Sequence, residues 1–201
     1  MSTLGVTVEN YRYRAFSWRS SISLPTKLLL ALGGAGVIGL AAQFKFGLPW
    51  TPVPVTGQTM AVLLVSVLLG RNWGGISAVL YSALGAAGLP WFAGFTGGIG
   101  ILAGPTGGYM LGFILAAFFL GYVSDRFVQM RSWYGLLGLM LFANFVLIHG
   151  PGLLQLAVVV GVNDFGRLLW MGTIPFIPGD VVKAVGAAVL AFALTPKNGT
   201  W

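Results

Sequence analysis

Pro105-Thr-Gly-Gly-Tyr-Met-Leu-Gly-Phe-Ile-Leu-Ala-Ala-Phe-Phe-Leu-Gly-Tyr-Val-Ser124 runs uncharged from end to end, and Asp125 and Arg126 close it. A helix rises 1.5 Å per residue, so about 20 apolar residues cross the hydrocarbon core of a bilayer. Five more apolar runs occur, at residues 27–43, 58–70, 75–88, 135–161 and 174–194. The run at 135–161 is expected to bend at His149-Gly150-Pro151-Gly152. Composition agrees. The 201 residues are 57% hydrophobic and 7% charged, with a mean hydropathy of +0.88. A soluble domain carries about 25% charged residues. Four acids and one histidine cannot clothe a soluble surface. The sequence reads as an all-α, polytopic membrane protein with six transmembrane helices, and a soluble enzyme or a disordered chain is excluded.

Orientation follows from the cations. Six spans put both termini on one side, together with Arg12, Arg14, Arg19, Lys27, Arg71, Arg126, Arg131 and Lys197. Lys45 and Arg167 fall on the other. Cytoplasmic loops collect Lys and Arg, which predicts cytoplasmic termini in a multi-pass protein of the cell membrane. The net charge of +7 then describes a lipid bilayer facing the protein and needs no nucleic acid. With no cysteine, disulfides and thiolate metal ligands are excluded.

Several runs are shorter than a full crossing. Irregular backbone at membrane depth is tolerated where it lines a cavity. Residues 49–59 and 91–108 are such segments, and both are expected outside, which suggests a pocket opening outward. Residues 27–195 form the predicted membrane domain, with tails at 1–26 and 196–201. The N-terminal tail interleaves arginines with Tyr11, Tyr13, Phe16 and Trp18. It suits a solvated tail or an interfacial segment on an anionic leaflet, with a cleaved leader as a third reading.

Four motifs carry the candidate chemistry. In Ile174-Pro-Phe-Ile-Pro-Gly-Asp-Val-Val-Lys183, Asp180 and Lys183 are three apart and share a helix face. Ionisable groups at membrane depth mark functional sites by default. A neutral pair that bridges helices, or a snorkelling lysine, fits the same spacing. In Pro52-Val-Pro-Val-Thr-Gly-Gln-Thr59, Thr56 and Gln58 are candidate ligand groups, although Thr56 also suits a helix cap. The uncharged loop holding Trp91, Phe92, Phe95 and Thr96, with Tyr109 beyond it, suits a flat, part-apolar ligand. Ala31, Ala35 and Gly39 recur every four residues, which suits close packing against another helix, in a partner or in this chain. Asn144 and His149 share the fifth run, and a lone histidine there reads as locally hydrogen-bonded. No catalytic constellation and no metal site can be assembled.

These motifs, in this order, resemble the BioY family, the biotin-specific substrate-binding (S) components of energy-coupling-factor (ECF) transporters. The matching segments are Pro52–Thr59, Leu84–Pro90, Gly104–Phe113 and Phe176–Lys183. The resemblance covers nearly all of residues 27–195. It implies a six-helix S-component fold that captures biotin from outside and carries no cofactor. It implies partners as well: a transmembrane coupling subunit and two cytoplasmic ATP-binding subunits. The family's small-residue stripe docks on the coupling subunit, which gives Ala31, Ala35 and Gly39 that role.

Biotin offers a ureido group, an apolar thioether ring and a carboxylate tail. An acceptor-only Asp180 and a donor-only Lys183 match a ureido N–H and its oxygen. The carboxylate then lies toward the outer mouth, near backbone N–H groups of residues 94–108, Thr96 and the Tyr109 hydroxyl. The competing assignment pairs Lys183 with the carboxylate. Asn144, Trp91, Phe92 and Phe95 complete the predicted ligand-binding set.

Overall fold

The computed structural model describes residues 3–197 and forms helix where the apolar runs predict it. Its elements are α1 (Thr3–Ser21), α2 (Leu24–Gln43), α3 (Gln58–Ala86), the short α4 (Ile99–Ala103), α5 (Gly107–Arg126), α6 (Trp133–Phe142), α7 (His149–Val160), α8 (Phe165–Gly172) and α9 (Ile177–Leu194). A two-stranded antiparallel ribbon, β1 (Lys45–Phe46) with β2 (Val55–Thr56), interrupts the helices. Among the described residues, five helical stretches are long and apolar enough to cross a membrane: Leu24–Gln43, Gln58–Ala86, Gly107–Arg126, Trp133–Val160 and Phe165–Leu194.

One of the five is folded back on itself. Gln58 and Tyr81 are 23 residues apart, yet their side chains hydrogen-bond at 2.6 Å. A straight helix would separate them by about 35 Å. The chain reverses at Gly70, whose φ of 80° and ψ of −173° are not helical. A Cβ there would lie 2.3 Å from Asp125 Oδ2, so both the conformation and the space require glycine. α3 is therefore two antiparallel arms, matching the separate runs at 58–70 and 75–88.

α5 lies among the other helices and packs against both α3 and α7. At Gly112 a Cβ would meet Ile148 Cα at 2.5 Å, so a bare backbone lets α5 touch the following long helix. That helix changes winding between α6 and α7. Residues Ala143–Ile148 form a π-helical segment. Pro151 explains the change in part, because it has no N–H and its ring crowds the preceding turn. The bend expected at residues 149–152 is thus a π segment just before them, inside a stretch that stays helical to Val160.

The outer faces fit lipid. Leu29 and Leu40 on α2, Leu154 and Val158 on α7, and Val182 on α9 are all exposed. Ala31 and Ala35 are not: both have 0% exposure inside the chain. Gly39 packs on the Trp91 ring. Of the two neighbours the sequence allowed, a partner or this chain, the burial of Ala31 and Ala35 fits packing within this chain.

The two ends of the bundle differ. α5 begins beside a cavity at Tyr109 and ends at Asp125, about 24 Å away along the helix. At the far end the N-terminal segment is helical and tied down. Arg19 Nη2 donates to Asp125 Oδ1 at 2.6 Å, and Lys197 N donates to Glu9 Oε1 at 2.5 Å. Partial burial pushes the Lys197 ammonium down to about 8, with Arg12 and Arg131 adding repulsion. Residues 198–201 of the predicted C-terminal tail lie outside the described residues.

Candidate functional site

The proline-rich segment, the glycine-rich loop and the starts of α5, α7 and α9 surround a cavity of about 330 Å³. Specific small-molecule sites are commonly 300–1,000 Å³ and mostly apolar. Val53, Ile101, Met110, Phe113, Ile148 and Phe176 supply the apolar wall. Asp180, Lys183, His149, Lys45 and the Tyr109 phenol are the charged or titratable groups in the lining.

Asp180 enters on the first turn of α9, which Pro178 opens. Its carboxylate is buried and holds three donors. Lys183 Nζ is 2.5 Å from Oδ1. His149 Nε2 is 2.8 Å and Asn144 Nδ2 3.0 Å from Oδ2. The π segment makes the last two possible together. An α-helix turns 100° per residue, so residues five apart would point about 140° away from each other. The i→i+5 winding brings Asn144 and His149 onto one side. Lys183 Nζ also donates to the Thr56 carbonyl at 3.1 Å. Thr56 is held in the β1–β2 ribbon, where it pairs with Lys45.

Counting lone pairs and protons shows what is left over. The carboxylate has about four acceptor positions, and three donors occupy it, two of them at Oδ2. The Lys183 ammonium has three protons, and two acceptors take two of them. One acceptor position at Oδ1 and one ammonium proton therefore remain side by side. A neutral ligand group with a donor beside an acceptor would complete both.

The other predicted site residues divide. Thr56, Gln58, Thr96 and Tyr109 line the cavity with Asp180 and Lys183. The Tyr109 hydroxyl is engaged, donating to the Gly172 carbonyl at 2.8 Å. Gln58 is engaged too, donating to the Tyr81 hydroxyl and accepting from Thr56 Oγ1 at 2.8 Å. Asn144 stands behind Asp180, outside the lining. The loop aromatics take other places. Trp91 donates from its indole to the Tyr81 carbonyl at 2.9 Å. Phe92 is fully buried and meets the Tyr81 ring edge-on, with centroids 5.3 Å apart. Phe95 is exposed at a positive φ of 56°.

Sequence reasoning missed His149 and Lys45. His149 is hydrogen-bonded, but to a carboxylate 31 residues away rather than locally. Its five-residue spacing from Asn144, just before a proline, was the signal. Nothing in the sequence placed Lys45 at the cavity, because the ribbon that carries it forms only in the fold.

Membrane-length helices around a part-apolar cavity, with a buried ion pair at its wall, define a membrane-embedded small-molecule-binding protein. The chain belongs to the BioY family, whose model matches residues 14–199. It is 51% identical over 141 residues to the probable biotin transporter BioY of Methanothermobacter thermautotrophicus, covering 66% of this chain and 87% of the relative. It is 36% identical over 176 residues to the biotin transporter BioY of Rhizobium etli, covering 83% and 91%. Among solved structures it resembles the S-component for biotin from an ECF-type ABC transporter. That likeness has a TM-score of 0.79 at 25% identity and covers 90% of this chain and 97% of the other.

Proposed function

We propose that this protein is the biotin-binding membrane subunit of a vitamin uptake transporter and not an enzyme. The observation that carries the reading is the unfilled acceptor and unfilled ammonium proton beside each other at Asp180 and Lys183. A ureido N–H takes the free position on Asp180 Oδ1, and the ureido oxygen takes the remaining Lys183 proton. The thioether ring lies against Met110, Phe113 and Phe176. The pair is neutral overall, which limits the cost of keeping it in a dry site.

The carboxylate end belongs at the mouth. Lys45 is exposed and lines the cavity, and its ammonium has no hydrogen-bond or ion-pair partner among the described residues. It is the available cation for the ligand's anionic tail, and Thr96 belongs to the same lining. Tyr109 is a poorer candidate, since its proton is already donated to Gly172.

The same reading places six crossings in the cell membrane, both termini in the cytoplasm and the cavity facing outward. The excess of basic residues at the Gly70 end supports it. A transmembrane coupling subunit and two cytoplasmic ATP-binding subunits supply the energy, since the chain has no phosphate-binding P-loop sequence of its own.

The test is equilibrium binding of labelled biotin to the purified chain in detergent, without ATP or partner subunits. Saturable binding that unlabelled biotin displaces, and riboflavin and thiamine do not, is expected. Absence of saturable binding by the isolated chain overturns the proposal.

A further inference from the structure

A second cavity, of about 370 Å³, lies at the opposite end of the bundle. Four elements build it: the end of α1 (Arg19, Ser20), the start of α2 (Lys27), the Gly70 turn (Leu69, Arg71, Asn72, Trp73) and the end of α5 (Tyr122, Asp125, Arg126). Its lining carries four cations and one anion.

Both oxygens of the anion are already engaged. Asp125 Oδ1 accepts from Arg19 at 2.6 Å, and Oδ2 accepts from the Arg71 backbone N–H at 2.9 Å. Arg19 also donates to the Leu68 carbonyl at 2.9 Å, so its guanidinium is held in place. Lys27 donates to the Ser20 carbonyl at 3.0 Å and keeps two protons. The Arg71 guanidinium lies over the Tyr122 ring, 4.8 Å from its centroid, and makes no hydrogen bond among the described residues. Arg126 makes none either. Two exposed guanidinium groups with unfilled N–H donors therefore border one polar cavity.

Guanidinium forks match the oxygens of a phosphate group, and two of them can grip one anion from different sides. The surroundings point to a lipid rather than a soluble anion. The cavity opens at the ends of membrane-length helices, the depth at which headgroups lie. Trp73, Tyr122 and Leu69 give it an aromatic and apolar side, as suits the membrane–water interface. We propose that this cavity binds the phosphate of an anionic phospholipid headgroup, gripped by Arg71 and Arg126 with Lys27 in support. This rests on the membrane reading and is independent of biotin.

Native mass spectrometry of the detergent-purified chain, with phosphatidylglycerol or phosphatidylcholine added, tests it. Phosphatidylglycerol should be retained in preference and should raise the melting temperature, with phosphatidylcholine doing neither. R71Q/R126Q should retain phosphatidylglycerol about 25-fold less, since each cation near a membrane surface contributes on the order of a fivefold effect. Biotin binding by that variant should match the parent, which shows that it folds. Should the double variant not purify, Lys27→Gln gives the same comparison with a smaller loss. Equal retention of the two lipids, or unchanged phosphatidylglycerol retention in the variants, overturns the site. Inorganic phosphate that displaces the lipid and protects the chain equally well identifies a soluble-anion site and overturns the lipid assignment.

Discussion

The two ends of this bundle both hold an aspartate against cations, and they use it differently. At the cavity end Asp180 is buried and meets a lysine, a histidine and an asparagine, with one acceptor position unfilled. At the Gly70 end Asp125 joins α1 to α5 and fastens the turn between the α3 arms through the Arg71 N–H. The carboxylate at the cavity end is incomplete in a dry place, where a missing partner costs most. The one at the Gly70 end is only partly buried, so water covers what the protein leaves unpaired. An incomplete pair buried away from water makes a binding site, and a partly exposed one whose gaps water fills makes a clasp.

The sharpest way to break this contrast is Asp180→Asn. It strands Lys183 and His149 in a dry site, and breaking a buried charge pair costs about 3–5 kcal/mol. Biotin binding should weaken by about 100-fold or more, and equally for biotin methyl ester. An unchanged affinity in equilibrium binding would remove Asp180 from the site. Lys183→Ala comes next, with a loss of roughly tenfold to 100-fold. If Lys183 serves the ureido oxygen, acid and ester weaken by similar factors. A much larger loss for the acid would give Lys183 to the carboxylate.

His149→Phe keeps a ring beside Tyr109 and Phe176 but removes the Nε2 donor to Asp180. About tenfold weaker biotin binding is expected, together with a lower melting temperature, because a buried carboxylate loses a donor and the Nδ1 contacts to Gly172 and Thr173 go as well. Asp125→Ala should separate the two effects. It lowers thermal stability by about 1–3 kcal/mol and leaves biotin affinity within about twofold. A matching loss of biotin affinity would show that the two ends are coupled. The smallest effect belongs to Lys45→Ala. An exposed ion pair is worth about 0.2–1 kcal/mol, so biotin should weaken by about 1.4- to fivefold and the ester not at all. High salt should shrink that difference.

Apolar runs, the tally of charges and the proline and glycine punctuation determined a membrane helix bundle, because each is a local property of consecutive residues. The Asp180–Lys183 pair was legible for the same reason: three residues along a helix bring side chains together whatever surrounds them. The aromatic loop was less legible. Trp91, Phe92 and Phe95 look alike in sequence, yet one caps Tyr81, one fills the core and one faces out. Which aromatic meets the cavity depends on the path of the loop. The stripe of Ala31 and Ala35 was visible too, but a small residue permits close packing without naming the neighbour.

Only the tertiary structure brought Lys45, Thr56, Asn144 and His149 to Asp180 and Lys183. The β1–β2 ribbon sets Lys45 opposite Thr56, and the Thr56 carbonyl reaches Lys183 across 127 residues of chain. The π segment turns Asn144 and His149 onto one carboxylate. Helical spacing fixes neighbours within one or two turns. Contacts between separate elements depend instead on crossings, kinks and register, which follow from the packing of the whole chain.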